Sequence, residues 1–369
     1  MKNCYFIITI LLICVGFPFF ALAQSRVLTF GNLADADAAF FQQLEQELAI
    51  DEMQTSVVIS GDLIDGCVTD QASFDHKALD QFIAIVQKYP KIPFYVVPGD
   101  RDWNYSKADG WACVQALDDY LERQNLSNLH WELDKGCPGP KVIELSTSTI
   151  LIMINTQWWN HPFEKPTPAD ALCKYSEPEI ILEEIHDAIE ENLNKNVLIA
   201  GHFPPQSQSR FGGVFPLTDH VKPPLIGTIK VAYRQSVGKA TDIQNAIFDP
   251  FRRVLIGLTT EYKGLLFLSG HDPNHQVLNL QTNYLINSGS PSKGKWVAKH
   301  KPALFASNKA GLGHLIFHAD GKVDYQFLPQ QKENLVEEYT LYSPPCKDNV
   351  ETNLIPNPTF SSLSGWTCT

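Results

Sequence analysis

Five times along this chain an apolar run of strand length stops at a glycine and a polar, ligand-type residue follows. Gly31-Asn32 closes the run Val27–Phe30, and Gly61-Asp62-Leu63-Ile64-Asp65 closes Ser56–Ser60. Gly99-Asp100-Arg101-Asp102 follows Pro93–Val97, Gly201-His202 follows Asn196–Ala200, and Gly270-His271-Asp272 follows Gly264–Ser269. A single Gly-Asp step is an ordinary turn. Five of them, each at the end of an apolar run, constrain the fold much more. Short runs rich in Val, Ile, Leu and Phe read as buried strands. In α/β sheets ligands bind beyond the carboxyl ends of such strands. Carboxylates and imidazoles gathered at one sheet edge offer mixed oxygen and nitrogen donors, which suit a divalent transition metal such as Zn, Fe or Mn.

The segments between these runs carry a helical period. Phe40, Leu44 and Leu48 fall on one face, as do Phe74, Ala78, Phe82 and Val86. A further helix is predicted from about residue 177 to 193, opened by Ser176 and Glu179 as a reciprocal capping box. Residues 149–155 form another uncharged strand, and residues 276–287 and 313–328 read as hairpins. Strand–helix alternation followed by hairpins predicts an α/β fold: a two-sheet mixed β-sandwich flanked by helices. Residues 204–240, rich in Pro, Gly and Ser, read as a long functional loop.

The N-terminal residues 1–23 have the layout of a secretory signal peptide. Lys2 precedes an apolar run from Tyr5 to Phe20, and Ala21-Leu22-Ala23 is a small-x-small cleavage site. The expectation is an exported protein, periplasmic, cell-envelope or secreted. Six of the eight cysteines fall outside this leader: Cys67, Cys113, Cys137, Cys173, Cys346 and Cys368. An even number in an exported chain predicts disulfides without fixing their pairing. Cys113, Cys137 and Cys173 are candidates within the main body, and Cys346 and Cys368 could pair across the tail. With 41 acidic against 29 basic residues the net charge is -12, which excludes general nucleic-acid binding. Residues 343–369 read as a linker or tail, either frayed or the start of a further β-domain.

The order of the five junctions resembles the calcineurin-like metallophosphoesterase family, which includes the purple acid phosphatases. That pattern runs D-x-H or G-D-x-G, G-D-x-x-D, G-N-H-D, a lone His, and G-H-x-H. The segment Asn155-Thr156-Gln157-Trp158-Trp159 and the turn Ser288-Gly289-Ser290 are similar to segments of its exported bacterial members. The resemblance implies a four-layer phosphoesterase domain over residues 24–342. It also implies a two-metal site that hydrolyses phosphate esters.

Position by position, one metal would take Asp62, Asp100, His202 and His271. The second would take Asn32, Asp62, Asp65 and the position held here by Pro273, which has no ligating atom. His275 is on the same face of a strand but roughly 6–7 Å further along. Arg101 and Asp102 stand at the catalytic positions, Arg101 where the family has a proton-donating His. The resemblance thus implies one tight metal site and a weak or absent second one, with a phosphate ester or a phosphorylated or glycan ligand as partner. Two functions stay open: an exported phosphoesterase with a partly degraded site, or an inactive relative serving as a binding module of the envelope, completed by a C-terminal domain. Bland roles stand beside the functional ones. Asp65 and Asp102 could cap helices, Arg101 could pair with Asp100 or Asp102, and Asp35-Ala36-Asp37 could mark a helix start. Trp158, Trp159 and His161 could be packing residues.

Overall fold

The computed structural model describes residues 25–343 apart from 51–53, 69–75, 168–172, 222, 224–225 and 332–336. The leader, Phe74, Cys346, Cys368 and the tail therefore lie outside the described residues. Two mixed sheets of seven strands each form the framework. In the first, β1 (Ser25–Phe30) lies parallel to β2 (Gln54–Ser60), which lies parallel to β3 (Phe94–Val97), with the short β4 (Leu129–His130) at the edge. On the other side of β1 the antiparallel β12 (Gly311–Phe317), β13 (Val323–Pro329) and β14 (Glu337–Tyr342) complete it. The second sheet has parallel β6 (Thr149–Met153), β7 (Asn196–Ala200), β8 (Leu265–Ser269) and β10 (Asn283–Ser288). Antiparallel β5 (Lys141–Ser146) borders β6, while β9 (His275–Leu280) and β11 (Ala303–Ser307) extend the sheet beyond β10.

Strand side chains alternate between two cores, as the two-residue period of a strand demands. Val27, Val58 and Leu315 of the first sheet share one buried cluster with Leu151, Leu198 and Leu266 of the second, filling the space between the sheets. Leu28, Phe30, Val57 and Ile59 belong to a separate cluster with residues of the flanking helices. Among these helices α1 (Ala38–Leu48) buries Phe40, Leu44 and Leu48, and the Asp37 carboxylate accepts its first-turn N–H from Phe40 at 2.9 Å. Helices α2 (Lys77–Lys88) and α3 (Gly110–Glu122) also flank the first sheet's cluster, while α4 (Thr156–Asn160) follows β6 directly.

Two sequence expectations need correction. Helix α5 (Pro178–Glu190) has no capping box: Glu177 is its N-cap and makes no side-chain cap bond. Pro178 at the first helical position supplies the required φ and removes one orphan N–H, so the capping pair has less to satisfy. Residues 204–240 are not one long loop. They hold α6 (Leu217–Val221) and α7 (Ile226–Ser236), after which α8 (Asp249–Glu261) leads to β8. The two helices are joined closely because residue 227 is glycine; a Cβ there would meet the Asp219 carbonyl oxygen at 2.5 Å. Among the described residues two disulfides are present, Cys67–Cys113 and Cys137–Cys173. No helix among the described residues is long and apolar enough to cross a membrane.

Candidate metal centre

The five junctions meet, as the sequence predicts, where strand ends of both sheets come together. Asn32 and Asp62 sit in left-handed backbone turns, with φ of 54° and 59°. Two glycines are there because the groups around them crowd in. A Cβ on Gly99 would stand 2.2 Å from Asp62 Oδ1, and one on Gly61 would stand 2.5 Å from His202 Nδ1. Any side chain at either position would push the ligand residues apart.

Asp100, His202 and His271 form the group among the described residues whose donor atoms could hold a metal, all within 4.8 Å of one another. Each imidazole has its far nitrogen committed. His202 Nδ1 lies 2.7 Å from the Ser60 carbonyl, and His271 Nε2 lies 2.7 Å from the Thr241 carbonyl. A carbonyl only accepts, so each far nitrogen carries the proton. The near nitrogens, His202 Nε2 and His271 Nδ1, then face each other at 3.1 Å, with Asp100 Oδ1 at 3.0 and 3.5 Å from them. Two neutral rings would direct two lone pairs at one another and at a carboxylate. A metal ion between them, or a proton on one ring, relieves this. Histidine ligands that donate their other N–H to a backbone carbonyl are the usual second layer of a metal site. Asp62 Oδ1 lies beside this group, 3.5 Å from His202 Nε2. The residues fit a metal.

With no metal the same charges must be balanced by a proton. Burial opposes charging His202, but Asp62 and the bond to Asp100 outweigh it and hold the ring up at about 9. Asp100 stays well below the usual carboxylate range against the cost of burial, because both histidines bond to it. Burial raises Asp62, and burial with Asp62 nearby pushes Asp102 up to about 7.

The residues expected around a second metal are placed differently. Arg101 grips Asp35, with Nη1 and Nη2 each 2.8 Å from one carboxylate oxygen, while its Nε lies 3.2 Å from Asp62 Oδ2. Its guanidinium therefore covers the outer oxygen of Asp62. The expected pairing of Arg101 with Asp100 or Asp102 is not formed; its partners are Asp35 and Asp62. Asn32 spends its amide on the carbonyls of Gly270 at 2.9 Å and Gly289 at 2.6 Å, tying the end of β1 to the ends of β8 and β10. Asp65 is exposed and accepts a hydrogen bond from the Tyr105 hydroxyl. His275 does not reach the cluster. It faces Ser288 Oγ and the Ser290 carbonyl, both at 3.1 Å, and burial pushes it down to about 4. The Asp102 carboxylate, fully buried, accepts the backbone N–H groups of Gly99, Asp62 and Ile64 at 2.7, 2.9 and 3.2 Å. It holds the two turns in shape. Trp159 stacks on Phe251 at 4.0 Å and His161 packs on Trp103 at 4.9 Å.

Sequence reasoning gave Asp35 only the role of a helix start; its pairing with Arg101, 66 residues away, leaves no local signal. It also missed the carbonyls of Ser60 and Thr241, which belong to backbone and leave no trace in side-chain pattern.

No family model matches the chain, and no curated protein does. Solved structures do. GAP50, the anchor in the inner membrane complex of Plasmodium, is 17% identical over 86% of this chain and 88% of its own, with a TM-score of 0.52. The purple acid phosphatase PPD1 of yellow lupin seeds is 11% identical over 86% of this chain and 53% of its own, with a TM-score of 0.50. PhoD is 9% identical over 86% and 68%, also at 0.50. Likeness at this distance concerns the fold, which is metallophosphoesterase-like.

Proposed function

We propose that this chain is a one-metal binding module built on the phosphoesterase fold, and not a competent two-metal hydrolase. Arg101 carries the reading. Its guanidinium sits on the Asp62 oxygen that a second metal would need, and Asp35 locks it there. Asp100, His202 and His271, with Asp62, would hold the single ion, and their oxygen and nitrogen donors suit Zn, Fe or Mn. Such an ion supplies Lewis acidity toward an oxygen of a bound ligand. Two-metal hydrolysis also needs a proton donor for the leaving group, and an arginine keeps its proton at neutral pH. A phosphate ester or another phosphorylated molecule is the ligand class in keeping with the fold. GAP50, which is similar in fold, is described as an anchor, and a binding role is in keeping with that. The leader-like residues 1–23 extend the reading to an exported protein.

A second reading, an active phosphoesterase that uses Arg101 as a clamp, is favoured by one observation: Arg101 is 16% exposed and stands at the rim of the metal group, where a phosphate clamp would stand. Elemental analysis and a panel of phosphomonoesters and phosphodiesters separate the two. The binding reading expects close to one metal per chain after dialysis against a weak chelator, and slow turnover of an activated aryl phosphate. The combined change Asn32→Asp, Arg101→His, Pro273→His should then raise turnover by about two orders of magnitude. Two tightly held metals, or fast turnover that Arg101→His slows, would establish an active enzyme instead.

A further inference from the structure

The helical pair α6–α7 exposes an apolar face that the other described residues do not cover. On α7, Ile226, Ile229 and Tyr233 are 61%, 68% and 51% exposed, and Val237 just beyond is 55% exposed. Spacings of three and four residues place these side chains on one face of the helix. Gly227 and Val231, on the opposite face, are buried. Leu217 of α6 adds the most exposed large apolar side chain among the described residues, at 77%. Isolated exposed hydrophobics are ordinary, but a contiguous group on one helical pair marks an interaction surface.

Charge identifies the occupant. The protein carries a net charge of -12, yet between residues 217 and 239 Lys and Arg outnumber acids four to one. The single acid, Asp219, is taken by Arg210, and Arg234 is taken by Asp242. Lys230, exposed beside the apolar stripe, and Lys239 form no ion pair among the described residues. An apolar helical face bordered by exposed lysines, on an otherwise acidic protein, is complementary to an anionic lipid surface. Aliphatic side chains and Tyr233 would enter the headgroup–acyl boundary while the ammonium groups stay at the phosphates. The acidic remainder of the protein would be repelled by the same surface, which orients the approach.

We infer that α6–α7 docks this protein onto anionic bilayers, with Ile226, Ile229 and Tyr233 inserted and Lys230 and Lys239 at the headgroups. The segment that follows α7 carries the Thr241 carbonyl holding His271. Docking would thus set the metal centre close to the membrane plane. The inference does not depend on what the centre does.

Co-sedimentation with vesicles of phosphatidylcholine alone and of phosphatidylcholine mixed with phosphatidylglycerol tests it, using the metal-loaded protein. Binding to the anionic vesicles only, weakened by added salt, is expected. Ile229→Asp should lower that affinity by about tenfold or more, since it removes a buried aliphatic side chain and adds a repelled charge. Lys230→Glu and Lys239→Glu should each lower it by about fivefold. Both positions are exposed, so unchanged thermal unfolding verifies that the variants fold. Absence of binding to anionic vesicles, or binding untouched by Ile229→Asp, would overturn the inference. So would a dimer in light scattering that Ile229→Asp dissolves, because the face would then belong to a second copy.

Discussion

Asp62 has to serve two neighbours at once. Its Oδ1 accepts the Arg101 backbone N–H at 3.0 Å and faces His202, while its Oδ2 faces the Arg101 guanidinium. The carboxylate is 2% exposed, so its charge has little help from water. Removing the guanidinium leaves a buried anion short of one partner, which is the costly way to break an ion pair. Arg101→Ala should therefore lower the stability of metal-free protein by about 3 kcal/mol, read as a shift of the denaturant midpoint. An unchanged midpoint would mean that the His202 charge already balances Asp62 alone. At this scale the sequence was readable where a polar residue follows a glycine at a strand end, as Asp62, Asp100, His202 and His271 do, because the strand ends bring such residues together. It was not readable where a side chain turns away from the site. Asn32, Asp65 and Asp102 occupy the expected positions, but their donors and acceptors are used by carbonyls, a tyrosine and backbone amides, and only the folded geometry decides that competition.

Between the elements, the joints are made by polar side chains and sulfur as much as by packing. The Asn128 amide Nδ2 lies 3.0 Å from the Val86 and Tyr89 carbonyls and 3.1 Å from that of Ile92, closing the C-terminal end of α2 against the strand that follows. Asn128→Ala leaves those carbonyls short of a donor, at a cost of about 1–3 kcal/mol in chemical denaturation, with metal content unchanged. The disulfides act at the same scale. Cys67–Cys113 ties the segment after β2 to α3, and Cys137–Cys173 ties the approach to β5 to the approach to α5. Thiol titration of the unfolded, unreduced protein should find Cys67, Cys113, Cys137 and Cys173 unreactive, and the pair Cys67→Ala, Cys113→Ala should lose about 3 kcal/mol. Elements with a sustained period, such as α1 and the buried strands, were legible in the sequence because burial on one face writes that period. The helices α6 and α7 were not, because their apolar residues face outward and Pro and Gly interrupt the segment. The capping of α5 was misread because a proline did the work assigned to Ser176.

For the molecule as a whole, the two seven-stranded sheets bury several histidines that the fold keeps neutral. His275, fully buried at the start of β9, faces only a hydroxyl, a carbonyl and the Phe327 ring, so burial sets its pKa at about 4. Burial also brings His161 and His314 down to about 4, with Lys165 and Arg26 respectively adding to it. The unfolded chain takes up a proton at each histidine near pH 6.5 while the folded chain does not until near pH 4. Stability from these groups is therefore complete above about pH 6.5 and falls as the pH drops toward 4. Asp102 acts with the opposite sign: its pKa raised to about 7 makes the fold lose stability as the pH climbs from the unfolded carboxylate value to 7. The whole-protein curve mixes the two, so a difference isolates one of them. Between pH 7 and pH 4, metal-free wild type should lose about 3 kcal/mol more than His275→Gln, since about two and a half pKa units separate the two states of the ring. Denaturant midpoints at a series of pH values measure that difference. Parallel curves for the two proteins would mean that His275 already carries its proton inside the fold, and that the contact between β9 and the turn after β10 is held by charge and not by a neutral ring.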